Sequence, residues 1–207
     1  MNKEKLKSVL GLLVILFLFV FLTYIVQTNL DKIEPYLGTS FLGMFLFVVI
    51  VALSIIIAPV SSVPLFPLAS ALWGWIIAAL LGTLGWTIGA VVAFLLARRY
   101  GINLVKKVLP LDKIYKFEKK IPEKNLFFTV VFLRMVTPID GVSYLFGLFN
   151  KMSLKSFTIA TIIGLIPFSF AIAYVGSISI YYQAFVLLIA LMIFIIGLII
   201  AERKVKN

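Results

Sequence analysis

Residues Asn125–Asn150 read NLFFTVVFLRMVTPIDGVSYLFGLFN. The run is apolar enough to lie in a bilayer, yet it holds Arg134 and Asp140, breaks at Pro138 and resumes through Gly141 and Gly147. A helix that only crosses a membrane needs none of these. A charge at the bilayer centre costs ~3 kcal/mol on insertion scales and more in simulations, so such residues face a polar cavity or one another. The stretch reads as a broken, re-entrant hairpin in a small membrane transporter.

The composition points the same way. Of 207 residues, 63% are hydrophobic, and the mean hydropathy is +1.16. Charge-free runs span Ser8–Leu30, Pro35–Ala97 and Ser156–Ala201, room for about four to six segments at roughly 20 residues each. The expectation is one all-α polytopic membrane domain over residues 1–207: an inverted repeat of two re-entrant helical hairpins plus about four transmembrane helices. No Cys and no His occur, which removes disulfides, thiol and imidazole chemistry, haem and zinc sites built on those ligands. The sequence therefore implies no enzyme, no metal and no cofactor. The net charge of +11 sits at the edges of apolar runs, the positive-inside pattern rather than a nucleic-acid footprint.

The chain starts MNKEKLKS and continues into an apolar core too long for a signal peptide, with no small-x-small cleavage site. Residues 8–28 read as an uncleaved first transmembrane helix with a cytoplasmic N-terminus. TNLDKIEPYLGTS then reads as an external loop without positive excess. Pro35–Ala97 carries no charge over 63 residues, and its middle holds Pro59, Pro64 and Pro67 within nine positions. Prolines so close break a helix, and irregular backbone at membrane depth survives only in protein or along a cavity. Phe41–Ile57 and Leu65–Trp73 are thus expected as two arms of a first hairpin, with its tip at Ala58–Pro64. Gly74–Ala97 follows as a span whose Gly82, Gly85 and Gly89 form a flat packing face.

Arg98–Lys124 holds nine basic and three acidic residues. Leu104, Val108, Leu111, Ile114, Phe117 and Ile121 recur at helical spacing, with Lys106, Lys107, Lys113, Lys116, Lys119 and Lys120 between them. This describes an amphipathic surface segment on an anionic leaflet, or a solvated positive-inside loop. Ser156–Val175 reads as a span interrupted at Gly164 and Pro167, Gly176–Ser179 as a tight turn, and residues 180–201 as a final helix before the basic tail ERKVKN. If each proline-broken segment re-enters rather than crosses, every basic cluster falls on one side, with both termini in the cytoplasm of a cell whose plasma membrane holds the protein. The hairpins then enter from opposite faces, as in transporters that bind substrate between two broken elements.

The run FLRMVTPIDGVSYLFGLFNKMSLKSFTIATIIGLIPFSFAIAYVG resembles the signature of the DedA/VTT-domain superfamily, also called SNARE-associated proteins. The matching positions are Arg134, Pro138, Tyr144, Gly147, Phe157, Gly164, Pro167, Tyr174 and Gly176. Pro64, Pro67, Trp73-Gly74, Gly82 to Gly89, and Phe94 to Gly101 with Arg98 and Arg99 match in the first half. The resemblance covers roughly residues 35–176. It implies opposed re-entrant hairpins and lipid movement between leaflets: undecaprenyl phosphate recycling and phospholipid translocation in bacterial members, scramblase-like activity in eukaryotic relatives. One departure is the absence of any acid between Pro35 and Ala97, where many bacterial members place acids linked to proton coupling.

Arg134 reads as a fixed cation for a phosphate head group, since guanidinium stays protonated and binds phosphate bidentately. The half-helix beginning near Gly141 would aim its positive end at the same place. Asp140 is open as the partner of Arg134, as a helix N-cap or as a coupling group. Thr137, Ser143, Ser61 and Ser62 are expected as donors to a phosphate or to broken backbone. Tyr144 lines the path or anchors at the interface. The expected function is a flippase or scramblase for a phosphate-bearing lipid, with anionic lipid head groups as partners, no nucleic acid, and an architecture compatible with a homo-oligomer. A small-ion or solute transporter and a non-transporting membrane organiser are the alternatives.

Overall fold

A computed structural model describes residues 3–37, 40–57, 61–108, 125–136, 141–149, 152–189 and 192. Every regular element among the described residues is a helix, as lipid requires of backbone groups that have no outside partner. Lys3–Leu37 forms α1, Phe41–Ile57 α2, Phe66–Trp73 α3, Trp75–Tyr100 α4, Ile102–Val108 α5, Leu126–Val136 α6, Gly141–Leu148 α7 and Leu154–Ser177 α8. A last apolar helix, α9, is described over Ile180–Ile189. Leu10–Pro35, Trp75–Tyr100 and Leu154–Ser177 are long and apolar enough to cross a membrane. Of the expected helix 180–201, only the part to Ile189 lies within the described residues.

Two corrections concern local structure. The segment after residue 28, expected as a loop, continues as helix to Leu37, with one break at Asn29 (φ −130°, ψ 20°). Thr28 and Asn29 side chains donate to the Tyr24 and Ile25 carbonyls there. Nor is α8 interrupted: it runs through Gly164 and Pro167 without a gap. Ser153 caps it by accepting from the Ser156 amide.

The scaffold is the antiparallel pair α4 and α8. Trp75 meets Phe170 and Tyr174, the Ser169 hydroxyl donates to the Ala79 carbonyl at 2.7 Å, and Phe94 stacks on Phe157 at 4.4 Å. Each step forward on α4 is a step back on α8.

Against this pair the chain folds two hairpins. In the first, α2 runs to Ile57, and α3 returns until Trp73 lies 5.8 Å from Phe47, well back along α2. Pro64 and Pro67 stand in the first turns of the 3-10 turn Val63–Leu65 and of α3, where a missing amide hydrogen costs nothing. These prolines therefore start the returning arm as well as interrupting the chain. Gly74, at φ +79°, turns α3 directly into α4, a backbone that favours glycine. The glycine face of α4 receives this hairpin: a methyl added at Gly85 would fall 2.8 Å from Val51 Cγ1, and one at Gly82 would meet the Phe66 ring. On the other scaffold helix, Ser70 of α3 donates to the Ala173 carbonyl of α8 at 2.9 Å.

The second hairpin is α6 and α7. Gly147, near the end of α7, sits against the Phe94 carbonyl and Ala97 at the far end of α4. So α3 finishes at one end of the scaffold and α7 at the other, and the hairpins approach from opposite ends as the inverted repeat requires. Arg98 secures that second end by donating to the Met152 carbonyl at 2.7 Å. The outer α1 buries Phe19, Thr23 and Val26, and Gln27 reaches the Ile178 carbonyl at the turn into α9.

Candidate functional site

The two hairpins touch where α2 ends and α7 begins. Tyr144 of α7, buried, donates its hydroxyl to the Ile56 carbonyl at the end of α2, at 2.7 Å. Ile56 is in the last turn of its helix, where carbonyls lack intrahelical partners. Tyr144 thus joins the hairpins, with its ring buried inside the protein rather than on its surface.

Arg134 is placed beside this junction by α6, with none of its surface exposed. Its Nη2 donates to the Ser143 hydroxyl on α7, and its guanidinium carbon lies 6.0 Å from the Phe157 ring centre. The close approach of α6 to α8 depends on Gly164: an added methyl would lie 2.6 Å from Arg134 Cβ and 2.7 Å from the Val131 carbonyl oxygen. The first half repeats this contact. A methyl at Gly89 of α4 would lie 2.5 Å from the Ala52 carbonyl oxygen and 2.9 Å from Ile55 Cβ. Val131 and Arg134 therefore correspond to Ala52 and Ile55, and the inverted repeat puts a cation in one half where the other has a methyl-bearing chain.

Both equivalent residues line one cavity of about 40 Å³. Arg134 and Leu165 contribute from the second half, and Ser54, Ile55, Ser61 and Ser62 from the first. Trp86 of α4 closes a wall and donates its indole N–H to the Ser62 hydroxyl at 2.9 Å. Ser62 accepts in that bond, so its own hydroxyl hydrogen can point elsewhere. Ser61 likewise accepts, from the Val63 amide at 3.4 Å, while Ser54 donates to the Val51 carbonyl. The space suits a few waters or one compact anionic group, held by a fixed guanidinium and hydroxyl donors in a low dielectric.

Of the residues expected at the site, Arg134, Ser61 and Ser62 share the cavity, Ser143 accepts from Arg134, and Tyr144 ties α7 to the end of α2. Gly141 and Gly147 bound α7 within the buried core. Thr137, Pro138, Asp140 and Pro59 lie outside the described residues, as do Lys113, Lys116, Lys119 and Lys120 and the side chain of Lys107. Lys106 is exposed on α5. Sequence reading missed Ser54, Ile55, Trp86 and Leu165. Ser54 had a signal, being the lone hydroxyl in α2, and Trp86 had one as the aromatic within a glycine-rich face. Ile55 and Leu165 had none, because only packing tells one apolar residue from its neighbours.

Three membrane-length helices around two opposed, cavity-forming hairpins define an all-α integral membrane protein. The VTT domain matches residues 59–178, and the chain belongs to that family, the DedA/SNARE-associated membrane proteins. The match takes in the tip of the first hairpin, the scaffold pair and the whole second hairpin. No solved structure matches the chain.

Proposed function

We propose that the protein moves a phosphate-bearing lipid, such as a phospholipid or undecaprenyl phosphate, between the leaflets of the cell membrane, with both termini in the cytoplasm. The observation that carries this is a fully buried Arg134 on a cavity built jointly by the tips of two opposed hairpins. The place of this fixed cation, beside Ser143 and at a shared polar cavity, supports a role in holding an anion at mid-membrane. Family membership supports a membrane role, and the first hairpin's lack of acids argues against a cation path. A transporter without covalent chemistry fits a cavity lined by hydroxyls, a guanidinium and apolar chains.

Leaflet exchange of labelled phosphatidic acid in proteoliposomes is the test. Arg134→Ala is expected to bring exchange down to the protein-free rate. Arg134→Lys, which keeps the charge but loses the bidentate fork, is expected to retain roughly a tenth of the activity. Exchange at the wild-type rate by Arg134→Ala sinks the assignment.

A further inference from the structure

A second space adjoins the first. On the outer side of α2 lies a groove of about 200 Å³ whose walls are Ile50, Leu53 and Ile57 of α2 and Leu65 of the 3-10 turn. Its inner end is formed by Ser54, Ser61 and Ser62, the same three hydroxyl residues that line the Arg134 cavity. Ile50, Leu53 and Ile57 are 49%, 44% and 63% exposed, so the outer end faces lipid.

The two spaces differ in chemistry in a consistent direction: hydrocarbon outside, hydroxyls between, a fixed cation within. A dissolved anion has no use for the outer part, and a neutral hydrocarbon has none for the inner part. An amphiphile with a compact anionic end fits both. We propose that this groove is the hydrocarbon-chain subsite of the lipid whose phosphate the Arg134 cavity takes. The lipid reaches the cavity sideways from the bilayer, passing between α2 and the 3-10 turn, and its chain stays in lipid-like surroundings while the phosphate passes the serines. Transport then requires no exposure of the chain to water, since burial of hydrocarbon is kept throughout.

Because the subsite presupposes the head-group assignment, the test separates the two. The full chain is placed in phosphate-free digalactosyldiacylglycerol vesicles with a trace of phosphatidic acid carrying a diazirine in its acyl chain. Diacylglycerol with the same chain serves as the headless probe, and adducts are mapped by peptide mass spectrometry. Phosphatidic acid is expected to label Leu53 and Ile57 roughly ten-fold above Leu84 and Ile88, lipid-facing positions on α4. Diacylglycerol is expected to show no such excess, and Arg134→Ala to remove it. Leu53→Trp, which fills the groove from an exposed position, is expected to slow leaflet exchange of phosphatidic acid by a similar factor. Equal excess labelling by both probes, indifferent to Arg134→Ala, leaves the chain subsite standing and overturns the head-group assignment. Labelling at Leu53 and Ile57 no higher than at Leu84 and Ile88 overturns the subsite, whatever Arg134→Ala does to exchange.

Discussion

Single side chains do unequal jobs at the junction of the hairpins. Arg134 supplies charge, and Ser143 on the next helix aims it. Tyr144, one residue on, has no share in the cavity lining; its hydroxyl instead satisfies a helix-end carbonyl in the opposite hairpin. Hydrogen bonds of this kind inside membranes average about 0.6 kcal/mol and elsewhere about 1 kcal/mol. Tyr144→Phe keeps the ring in its buried site and removes the bond to Ile56. Thermal unfolding in detergent is expected to fall by about 2–4 °C. A change in exchange rate larger than this loss of stability explains would show that joining the tips is itself part of transport.

The elements owe their arrangement to small residues. Gly85 and Gly89 let α2 lie against α4, and Gly164 lets α6 lie against α8 by the same backbone approach. Lipid offers no hydrophobic drive for helix association, so close packing through such residues supplies the attraction. Gly89→Ala and Gly164→Ala push a methyl into a neighbouring carbonyl, an overpacking cost of about 1–3 kcal/mol each. Gly11→Ala, where the added methyl meets open space, is expected to be neutral or mildly stabilising by helix propensity. The same melting experiment ranks the three. Gly164→Ala is further expected to slow leaflet exchange more than Gly89→Ala, because the atom it displaces is Arg134 Cβ rather than Ile55 Cβ. Equal effects on exchange would remove the asymmetry assigned to the two halves.

At the level of the whole molecule, the scaffold pair sets which end of each hairpin is open. Ser153 precedes α8 and Ser177 ends it, both exposed, so the proposed topology puts them on opposite sides of the membrane. The chain has no native cysteine, which makes single-cysteine labelling unambiguous. Ser177→Cys is expected to react with a membrane-impermeant maleimide on intact cells, and Ser153→Cys only after permeabilisation. The reverse pattern inverts the topology, and labelling of both from outside removes α8 as a crossing helix.

Read alone, the sequence determined the class of molecule and much of its layout. Hydropathy forced helices, the prolines 64 and 67 marked where the first hairpin turns, and the glycines of α4 marked a packing face. A charge in an apolar run singled out Arg134, and the structure places it buried on a cavity. Local signals misjudged the continuation of α1 past Asn29 and the continuity of α8 through Pro167, since a kink or a proline weakens a helix without ending it. Tertiary structure alone decided what faces Arg134. Ser54, Ile55, Trp86 and Leu165 reach the cavity because two hairpins of opposite direction place distant apolar segments side by side. No local pattern encodes that meeting. It arises from close backbone contact at Gly89 and Gly164, which seats Ile55 and Arg134 against the α4–α8 pair.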